Sequence, residues 1–241
     1  MKLTWVIAGL ALVFALVVGS AVRAGALPGG GLPSFTIDVT SSVGGDTLSL
    51  SPVLTANPDG SFSASGEGAA TSFSFVFDFS LNADPSVAGS FTLQNLSGAT
   101  QTFTVSATLG VAPLGGPTTM TGSFGDVNFT DTNDSNVTLA SALFYQARID
   151  GLGVQSLGSF NSNANGGPGV IGTISQLSFG PTAGPGVATS IGVAFPGFSL
   201  TAQDRVEVPF EFTVVPEPGF ACLFAVMAGT FVFARRKTTH S

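Results

Sequence analysis

The chain has 241 residues, with fourteen Asp and Glu against seven Lys and Arg, and its formal net charge of −7 disfavours nucleic acid as a partner because phosphates would be repelled. The single cysteine excludes an intramolecular disulfide, so the fold has to be stabilised by burial and hydrogen bonding. The length allows one large domain or two small ones, and no internal repeat of fixed period divides the chain.

The first predicted element is a signal peptide over residues 1–24. Met1-Lys2 provides a positive start, residues 3–18 carry no charge, and small residues follow as far as Ala24 and Ala26. This order is typical of a secretory signal, so we expect the export machinery to carry the chain and signal peptidase to cut after Ala24 or Ala26. A retained N-terminal anchor is the alternative, and the well-placed small residues argue against it.

Residues 25–214 are predicted to form an all-β extracellular domain. In Ser72–Leu81, four Phe and one Leu alternate with Ser, Val and Asp, which is typical of a half-buried strand. The same alternation recurs around Phe35, Phe103 and Val206, and no stretch between these runs shows a helical period. We expect about ten to twelve short strands in an antiparallel β-sandwich of jelly-roll or immunoglobulin-like type, with a barrel as the alternative.

Turn residues separate the predicted strands. Asn57-Pro58-Asp59-Gly60 and Asp150-Gly151 are two examples between apolar runs. Gly accepts a positive φ and Asp hydrogen-bonds its own backbone, so such clusters predict tight turns rather than long loops.

The chemistry available between residues 25 and 217 is narrow. This region has no His, Cys, Lys or Trp, and its two cations, Arg148 and Arg205, against all fourteen acids give a formal charge of −12. Without His or Cys, the usual nucleophilic triads and the best zinc or copper ligands are missing. A carboxylate-pair glycosidase is chemically conceivable, but the region lacks the aromatic platforms that sugar sites generally have. We therefore predict a protein that is not an enzyme and has no organic cofactor.

Calcium is the one metal that the residues permit. The oxygen-bearing side chains crowd into eleven positions, at Asp126, Asp131, Asn133, Asp134 and Asn136. A hard cation prefers oxygen ligands on a flexible acidic loop, although this spacing lacks the Gly and the bidentate Glu of an EF-hand. The alternative is a solvated turn between two strands.

An apolar segment near the end of the chain predicts a C-terminal transmembrane helix. Residues 219–234 are sixteen positions without a charge, followed by Arg235, Arg236 and Lys237. As a helix, this segment spans roughly 24 Å, a marginal length for a hydrocarbon core of about 30 Å. A buried terminal helix is the alternative, but the abrupt basic end argues against it. Positive flanks stay in the cytoplasm, so both ends of the chain are expected inside and residues 25–217 outside.

The motif Val215-Pro216-Glu217-Pro218 lies directly between the last predicted strand and the apolar segment. Its prolines remove backbone donors and favour an extended peptide that continues neither a helix nor an inner strand. Pro-Glu-Pro, a short apolar span and the Arg235-Arg236 end together resemble the PEP-CTERM sorting signal, here residues 215–241. The resemblance implies that Pro216, Glu217, Pro218, Arg235 and Arg236 are recognition residues.

The resemblance also implies a partner and a location. In that family an exosortase, a membrane cysteine protease–transpeptidase, processes the tail, so the protein is expected to pass through the inner membrane to the cell surface or extracellular matrix. Residues 95–105 and 143–151 are similar to stretches in β-rich PEP-CTERM proteins that accompany exopolysaccharide and biofilm-matrix systems. The implied role is a non-catalytic surface or matrix component, with exopolysaccharide as a candidate partner.

Two alternative roles for the β domain stay open. A carbohydrate-binding module would stack sugars on exposed aromatic rings, for which Tyr145 is the one Trp or Tyr in the region. A self-assembling fibre subunit would use strands such as Ser72–Leu81, which combine a strong β pattern with low charge and no Pro. The competing interpretation of the many Phe residues is an ordinary sandwich core.

Overall fold

A computed structural model describes residues 32–42, 45–82, 85–133 and 136–217. These residues form strands and turns, and no helix occurs among them, which confirms the all-β prediction. The predicted signal peptide and most of the predicted C-terminal segment lie outside the described residues. Within the described ranges no helix is long and apolar enough to cross a membrane.

The described residues form seventeen strands rather than the ten to twelve expected. The chain breaks between strands both within a sheet and where it passes from one sheet to the other. In chain order the strands are β1 Phe35–Ser41, β2 Thr47–Leu50, β3 Thr55–Ala56, β4 Phe62–Ala69, β5 Phe73–Asn82, β6 Ser86–Asn95, β7 Gln101–Gly115, β8 Thr118–Phe124, β9 Val127–Thr130, β10 Asn136–Ser141, β11 Tyr145–Ile149, β12 Leu152–Leu157, β13 Phe160–Asn165, β14 Ile171–Ile174, β15 Leu177–Gly184, β16 Val187–Leu200 and β17 Arg205–Pro216.

The strands form two antiparallel sheets. The first sheet has eight strands in the order β12-β11-β16-β7-β1-β2, with β10 pairing both β13 and β16. The second has nine strands in the order β14-β9-β17-β6-β5-β4-β3, with β8 pairing both β15 and β17. Neither sheet closes into a barrel through its described strands, so the barrel alternative is wrong for this part of the chain.

Strands β6 to β17 form one continuous antiparallel ribbon. β6 to β11 make up one arm, and β17 back to β12 make up the other. The register hardly changes along the ribbon, as shown by the pairs Ser86–Thr213, Gln101–Leu200, Thr118–Gly184, Asn136–Asn165 and Ile149–Leu152. The ribbon crosses repeatedly between the two sheets, and β1 to β5 extend both sheets at its open end.

A two-residue turn closes the ribbon. Asp150 has a φ of 49° and Gly151 a φ of 77°, and their neighbours Ile149 and Leu152 pair directly. Positive φ at both central residues is the geometry of a type I′ hairpin, which Asp-Gly favours because Gly has no Cβ and Asp tolerates the left-handed region. The predicted Asp150-Gly151 turn is therefore confirmed as the tip of the ribbon.

Phenylalanine side chains fill the space between the sheets. In β5, Phe73, Phe75, Phe77 and Phe79 are buried and the residues between them are exposed or half-buried, as the alternation predicts. Rings meet across the two sheets in edge-to-face contacts, with centroids 5.0 Å apart for Phe91–Phe195 and 5.8 Å apart for Phe73–Phe103. Each buried Phe contributes about 1.5–3 kcal/mol through burial alone. The face-to-face packing is that of a β-sandwich.

Candidate functional site

The start of the predicted sorting motif lies in the last strand. Val215 and Pro216 end β17, where they pair with Thr119 and Thr118 of β8. The N–H of Glu217 donates to the carbonyl of Pro117 at 2.9 Å, and the Thr119 hydroxyl donates to Glu217 Oε1 at 3.0 Å. The segment is extended and exposed, as expected, but the expectation that the strand stops before it is wrong.

The position of Pro216 explains why the strand can include it. Pairing of β17 with β6 ends at Thr213, and the N–H of Val214 makes the last described backbone hydrogen bond on that side, to the carbonyl of Pro85 at 2.9 Å. Among the described residues, Pro216 therefore has a strand partner on the β8 side only. Proline is tolerated at such edge positions, because its missing N–H would face a side without a neighbouring strand, so no hydrogen bond between strands is lost. The remaining motif and cleavage residues, Pro218, Arg235, Arg236, Ala24 and Ala26, lie outside the described residues.

The structure separates the predicted calcium ligands. Asp126 lies before β9 and accepts a hydrogen bond from the N–H of Gln176 at 3.0 Å. Asp131 follows β9 at its other end, so the two Cα atoms are roughly 16 Å apart at about 3.3 Å of rise per residue. One ion therefore cannot use both carboxylates.

The remaining candidates belong to one loop and the start of the next strand. Asp131 is fully buried, and its Oδ1 accepts from the N–H of Asn133 at 3.0 Å. Asn136 begins β10 opposite Asn165, and Asp134 lies outside the described residues. The described residues contain no group of three or more His, Cys, Asp or Glu that could hold a metal. Calcium binding stays a prediction, and its candidate ligands are now limited to those of the 131–136 loop.

Sequence analysis missed Asp204, a second buried carboxylate beside this loop. Its Oδ1 accepts from the N–H of Thr132 at 3.1 Å, and its other oxygen accepts from the Thr201 hydroxyl. Asp204 precedes β17 and is 72 positions from Thr132 along the chain, so local spacing gave no signal for the contact. The carboxylate ties the 131–136 loop to the β16–β17 turn.

Tyr145 is buried, so it cannot be a surface platform for sugars. Its side chain is 0 % exposed, and its hydroxyl donates to the backbone carbonyl of Glu211 at 2.9 Å. Burial, and then the negative charge of Glu211, raises the pKa of Tyr145 far above its usual value near 10. The alternation of Tyr145, Ala147 and Ile149 on the buried face of β11 was a readable signal for this position.

The absence of a side chain at Gly122 leaves room for the Tyr145 hydroxyl. A Cβ added to Gly122 would lie 2.8 Å from the Tyr145 hydroxyl oxygen and 2.4 Å from the ring of Phe179. Only glycine therefore allows both rings to approach β8 at this position.

A small cavity lies beside Gly122. It has a volume of about 160 Å³ and is lined by Thr121, Gly122, Ser123, Ser178, Phe179 and Glu211. Ser123 is the central residue of a cross-strand row, pairing with Ser178 on one side and Glu211 on the other. Ser178, Ser123 and Glu211 form the outward-facing row of the sheet, whereas the Phe179 ring lies on the inner face against Tyr145 and Phe212.

Comparison with known proteins identifies no family. No family model and no curated protein matches the chain. One similar solved structure is TmCBM61, a carbohydrate-binding module, in complex with beta-1,4-galactotriose, at 10 % identity over 53 % of this chain and 71 % of that chain, with a TM-score of 0.24. Another is infectious bursal disease virus Gx strain, at 12 % identity over 79 % of this chain and 64 % of that chain, with a TM-score of 0.18. Neither likeness is close enough to carry an argument.

Proposed function

We propose that this protein is a non-catalytic, exported component of the cell surface or exopolysaccharide matrix, delivered through its C-terminal tail by an exosortase. The observation that carries the proposal is the course of β17, which leads from the buried core to the exposed Pro216-Glu217 at the edge of the second sheet. A processing enzyme at the membrane could reach the motif there without unfolding the core.

The non-catalytic part of the proposal rests on the side chains available. Between residues 25 and 217 there is no His or Cys, and the described acids do not gather into a metal-binding group. Nucleophilic catalysis that depends on His or Cys, and catalysis by a metal held by three such ligands, therefore have no set of residues to act through in the described part of the chain. Burial of the aromatic rings instead serves a rigid, stable sandwich.

We assign the sandwich to the jelly-roll type rather than the immunoglobulin-like type. The support is the ribbon from Ser86–Thr213 to the Asp150-Gly151 tip, which passes from the second sheet to the first, back to the second and again to the first. Rolling one long antiparallel ribbon into two sheets is how a jelly roll is built.

The fibre alternative loses its main support, because the aromatic residues that motivated it lie in the core. Phe73, Phe75, Phe77 and Phe79 face inward in β5, and β5 itself is paired on both sides by β4 and β6. A strand inside a sheet offers no free edge for cross-β stacking. The carbohydrate-binding alternative cannot use Tyr145, which is buried.

The proposal is tested by intact-mass measurement of protein taken from the surface and from the membrane of the native host. Replacing Pro216, Glu217 and Pro218 by Ala should block processing, so that full-length precursor accumulates in the membrane. Thr119→Ala is the matched control, because it removes the hydrogen bond to Glu217 and leaves the motif intact. Surface-located protein that still carries residues 219–241 would refute delivery by tail processing.

A further inference from the structure

The outermost strands on one side of the sandwich carry no charged side chain. Residues 151–203, which include β12 to β16, contain no Asp, Glu, Lys or Arg. On this side β12 and β13 are the last strands of the first sheet, and β14 and β15 are the last strands of the second. β12 lies near β15 and β13 lies near β14, so both sheets end at the same side of the molecule. Because the whole chain has a net charge of −7, uncharged edge strands are where a second copy meets the least repulsion.

Only one of these four strands lacks every feature that normally protects a sheet edge. Charges, prolines, bulges and short strands are the usual protections against pairing with another chain. β15 contains Pro181 and a register shift against β8, β12 has a register shift against β11, and β14 has four residues. β13, in contrast, has six residues without a Pro or a charge, and all six pair with β10 without interruption. Among the described residues no strand pairs with the other side of β13, so the N–H and C=O groups on that side are available to a further strand.

The side chains on the solvent face of β13 are all of one kind. Every second residue of the strand is an exposed asparagine, namely Asn161, Asn163 and Asn165. Each asparagine side chain has an acceptor oxygen and two donor N–H bonds, so two asparagines that lie opposite each other can exchange hydrogen bonds. The residues between them are half-buried on the core side, at Phe160, Ser162 and Ala164.

This pattern is complementary to itself in an antiparallel arrangement. A twofold axis through Asn163 places it opposite Asn163 of a second copy, and it places Asn161 opposite Asn165 of that copy. On the core side, Ser162 then lies opposite Ala164 of the second copy, and both side chains are small. Residues directly opposite each other in such a pair have Cβ atoms about 4.5–5.5 Å apart, within reach of hydrogen bonds between the amides. The contact is isologous and closes after two copies, since each chain has one β13.

The antiparallel arrangement also keeps the acids of the 131–136 loop apart. Asn165 pairs with Asn136 at the end of this loop, whereas Phe160 pairs with Ser141 at the far end of β10. The twofold axis brings the loop end of one β13 to the far end of the other. The acidic loops of the two copies therefore lie at opposite ends of the contact, while a parallel pair would place them side by side.

We propose that β13 is a self-association edge, through which two copies of this protein join their first sheets into one continuous sheet across a twofold axis at Asn163. This inference goes beyond delivery to the surface, because it gives the β domain a partner, a second copy of the same chain. A single pair of six-residue strands is small beside the roughly 1,200–2,000 Å² that a stable complex buries, so we expect a weak dimer that forms at about 0.1–1 mM protein.

Disulfide cross-linking of the full chain in detergent tests the register. Cys222 is first replaced by Ala, so that each variant carries one cysteine. Under mild oxidation, Asn163→Cys should form a covalent dimer with itself, whereas Asn161→Cys should cross-link to Asn165→Cys from another chain and hardly to itself. Thr36→Cys is the matched control, because Thr36 is exposed on the same sheet in β1, which is paired by β2 and by β7.

Sedimentation of the full chain in the same detergent measures the association itself. Asn163→Lys places two lysines directly opposite each other on the axis and should raise the Kd of the dimer by about tenfold or more, because like charges at such positions repel. Thr36→Lys adds the same charge away from the edge and should leave the Kd unchanged. Unchanged melting temperatures of the lysine variants show that a lost dimer does not reflect unfolding.

Three results would overturn the proposal. They are a wild type that stays monomeric at about 1 mM, equal association of Asn163→Lys and Thr36→Lys, and equal cross-linking of Asn163→Cys and Thr36→Cys. None of these results bears on delivery by the tail, because that proposal is tested by the mass of the surface protein.

Discussion

Asp150 Oδ1 accepts a hydrogen bond from the backbone N–H of Thr189 at 2.8 Å. The same oxygen accepts from the N–H of Ser190 at 2.9 Å and from the Thr189 hydroxyl at 2.8 Å. The carboxylate at the tip of the ribbon therefore fastens the tip to β16, a strand almost forty residues further along the chain. Asp150 therefore has two roles: its side chain accepts these hydrogen bonds, and its backbone adopts the left-handed conformation that the turn requires.

We expect Asp150→Ala to destabilise the fold by about 1–2 kcal/mol, since it loses the acceptor and places an ordinary residue in the left-handed region. Asp150→Asn should cost less, because Asn keeps an acceptor oxygen and tolerates the same φ. The hydrogen bond from Thr189 is the main cause that lowers the pKa of Asp150 below its usual value. The stability that the Asp150 carboxylate contributes is therefore fully present at pH values above its usual pKa, and it is lost as the pH falls through the lowered pKa of the folded protein.

Urea unfolding at about pH 6 and about pH 3 measures this effect. The stability difference between the wild type and Asp150→Ala should be largest at the higher pH and should narrow at the lower one. An Asp150→Asn variant that is as unstable as Asp150→Ala would show that the charge, rather than the acceptor and the turn geometry, is decisive.

Phe75→Asp or Phe77→Asp should unfold the domain. Both side chains lie between the sheets, at 0 % and 5 % exposure, and an unpaired buried carboxylate costs several kcal/mol against a typical total stability of about 5–15 kcal/mol. Ser74→Asp is the matched control on the opposite face of β5 and should be mild. Circular dichroism and thermal melts of the three variants check the prediction, which three equally stable proteins would contradict.

Because the phenol of Tyr145 is buried, we expect the free energy of unfolding to fall at alkaline pH. Tyr145 is the chain's only tyrosine, and burial raises its pKa in the folded protein, so the folded state keeps the proton when the unfolded state releases it. Stability is unaffected below about pH 10 and should fall above it by about 1.4 kcal/mol per pH unit from this group. Phenolate absorbance should appear together with loss of the β-type circular dichroism. Reversible ionisation in folded protein near pH 10 would exclude a buried phenol, and Tyr145→Phe removes both the signal and this part of the pH dependence.

The calcium hypothesis predicts that millimolar calcium raises the melting temperature by linkage. Asp131→Ala combined with Asp134→Ala should abolish the rise, whereas Asp126→Ala should leave it, because Asp126 lies at the far end of β9. The calcium-dependent shift is the readout, since removing buried Asp131 lowers stability by itself. Identical melts in calcium and in chelator would favour the solvated-turn interpretation.

The alternation of residues predicted the local structure well. In β5 and β17 it identified which side chains face the core, because a strand with one buried face has an apolar period of two. The Asp150-Gly151 turn was also readable, since few residue pairs satisfy two positive φ angles. The same logic in β11 would have placed Tyr145 inside, had it been applied there.

The pairing of distant segments could not be predicted in the same way. Alternation states which face of a strand is buried but not which strand lies beside it, so the β6–β17 pairing carried no local signal. Gly122 lies opposite Phe179 because β8 pairs with β15, and Asp204 meets the 131–136 loop from the other arm of the ribbon. These contacts follow from the path of the whole ribbon rather than from any one segment.

The ribbon also restricts how the length of this chain can vary during evolution. Every pair from Ile149–Leu152 outward to Ser86–Thr213 inherits its register from the pairs nearer the tip. One residue inserted into a single arm has to be extruded as a bulge, or else every side chain beyond it on that arm changes from the core face to the solvent face. Arm lengths can therefore change together by compensated insertions, or at existing irregularities such as Phe179–Thr182 and Pro196–Phe198. Unmatched single-residue insertions between these points should be rare among homologous sequences.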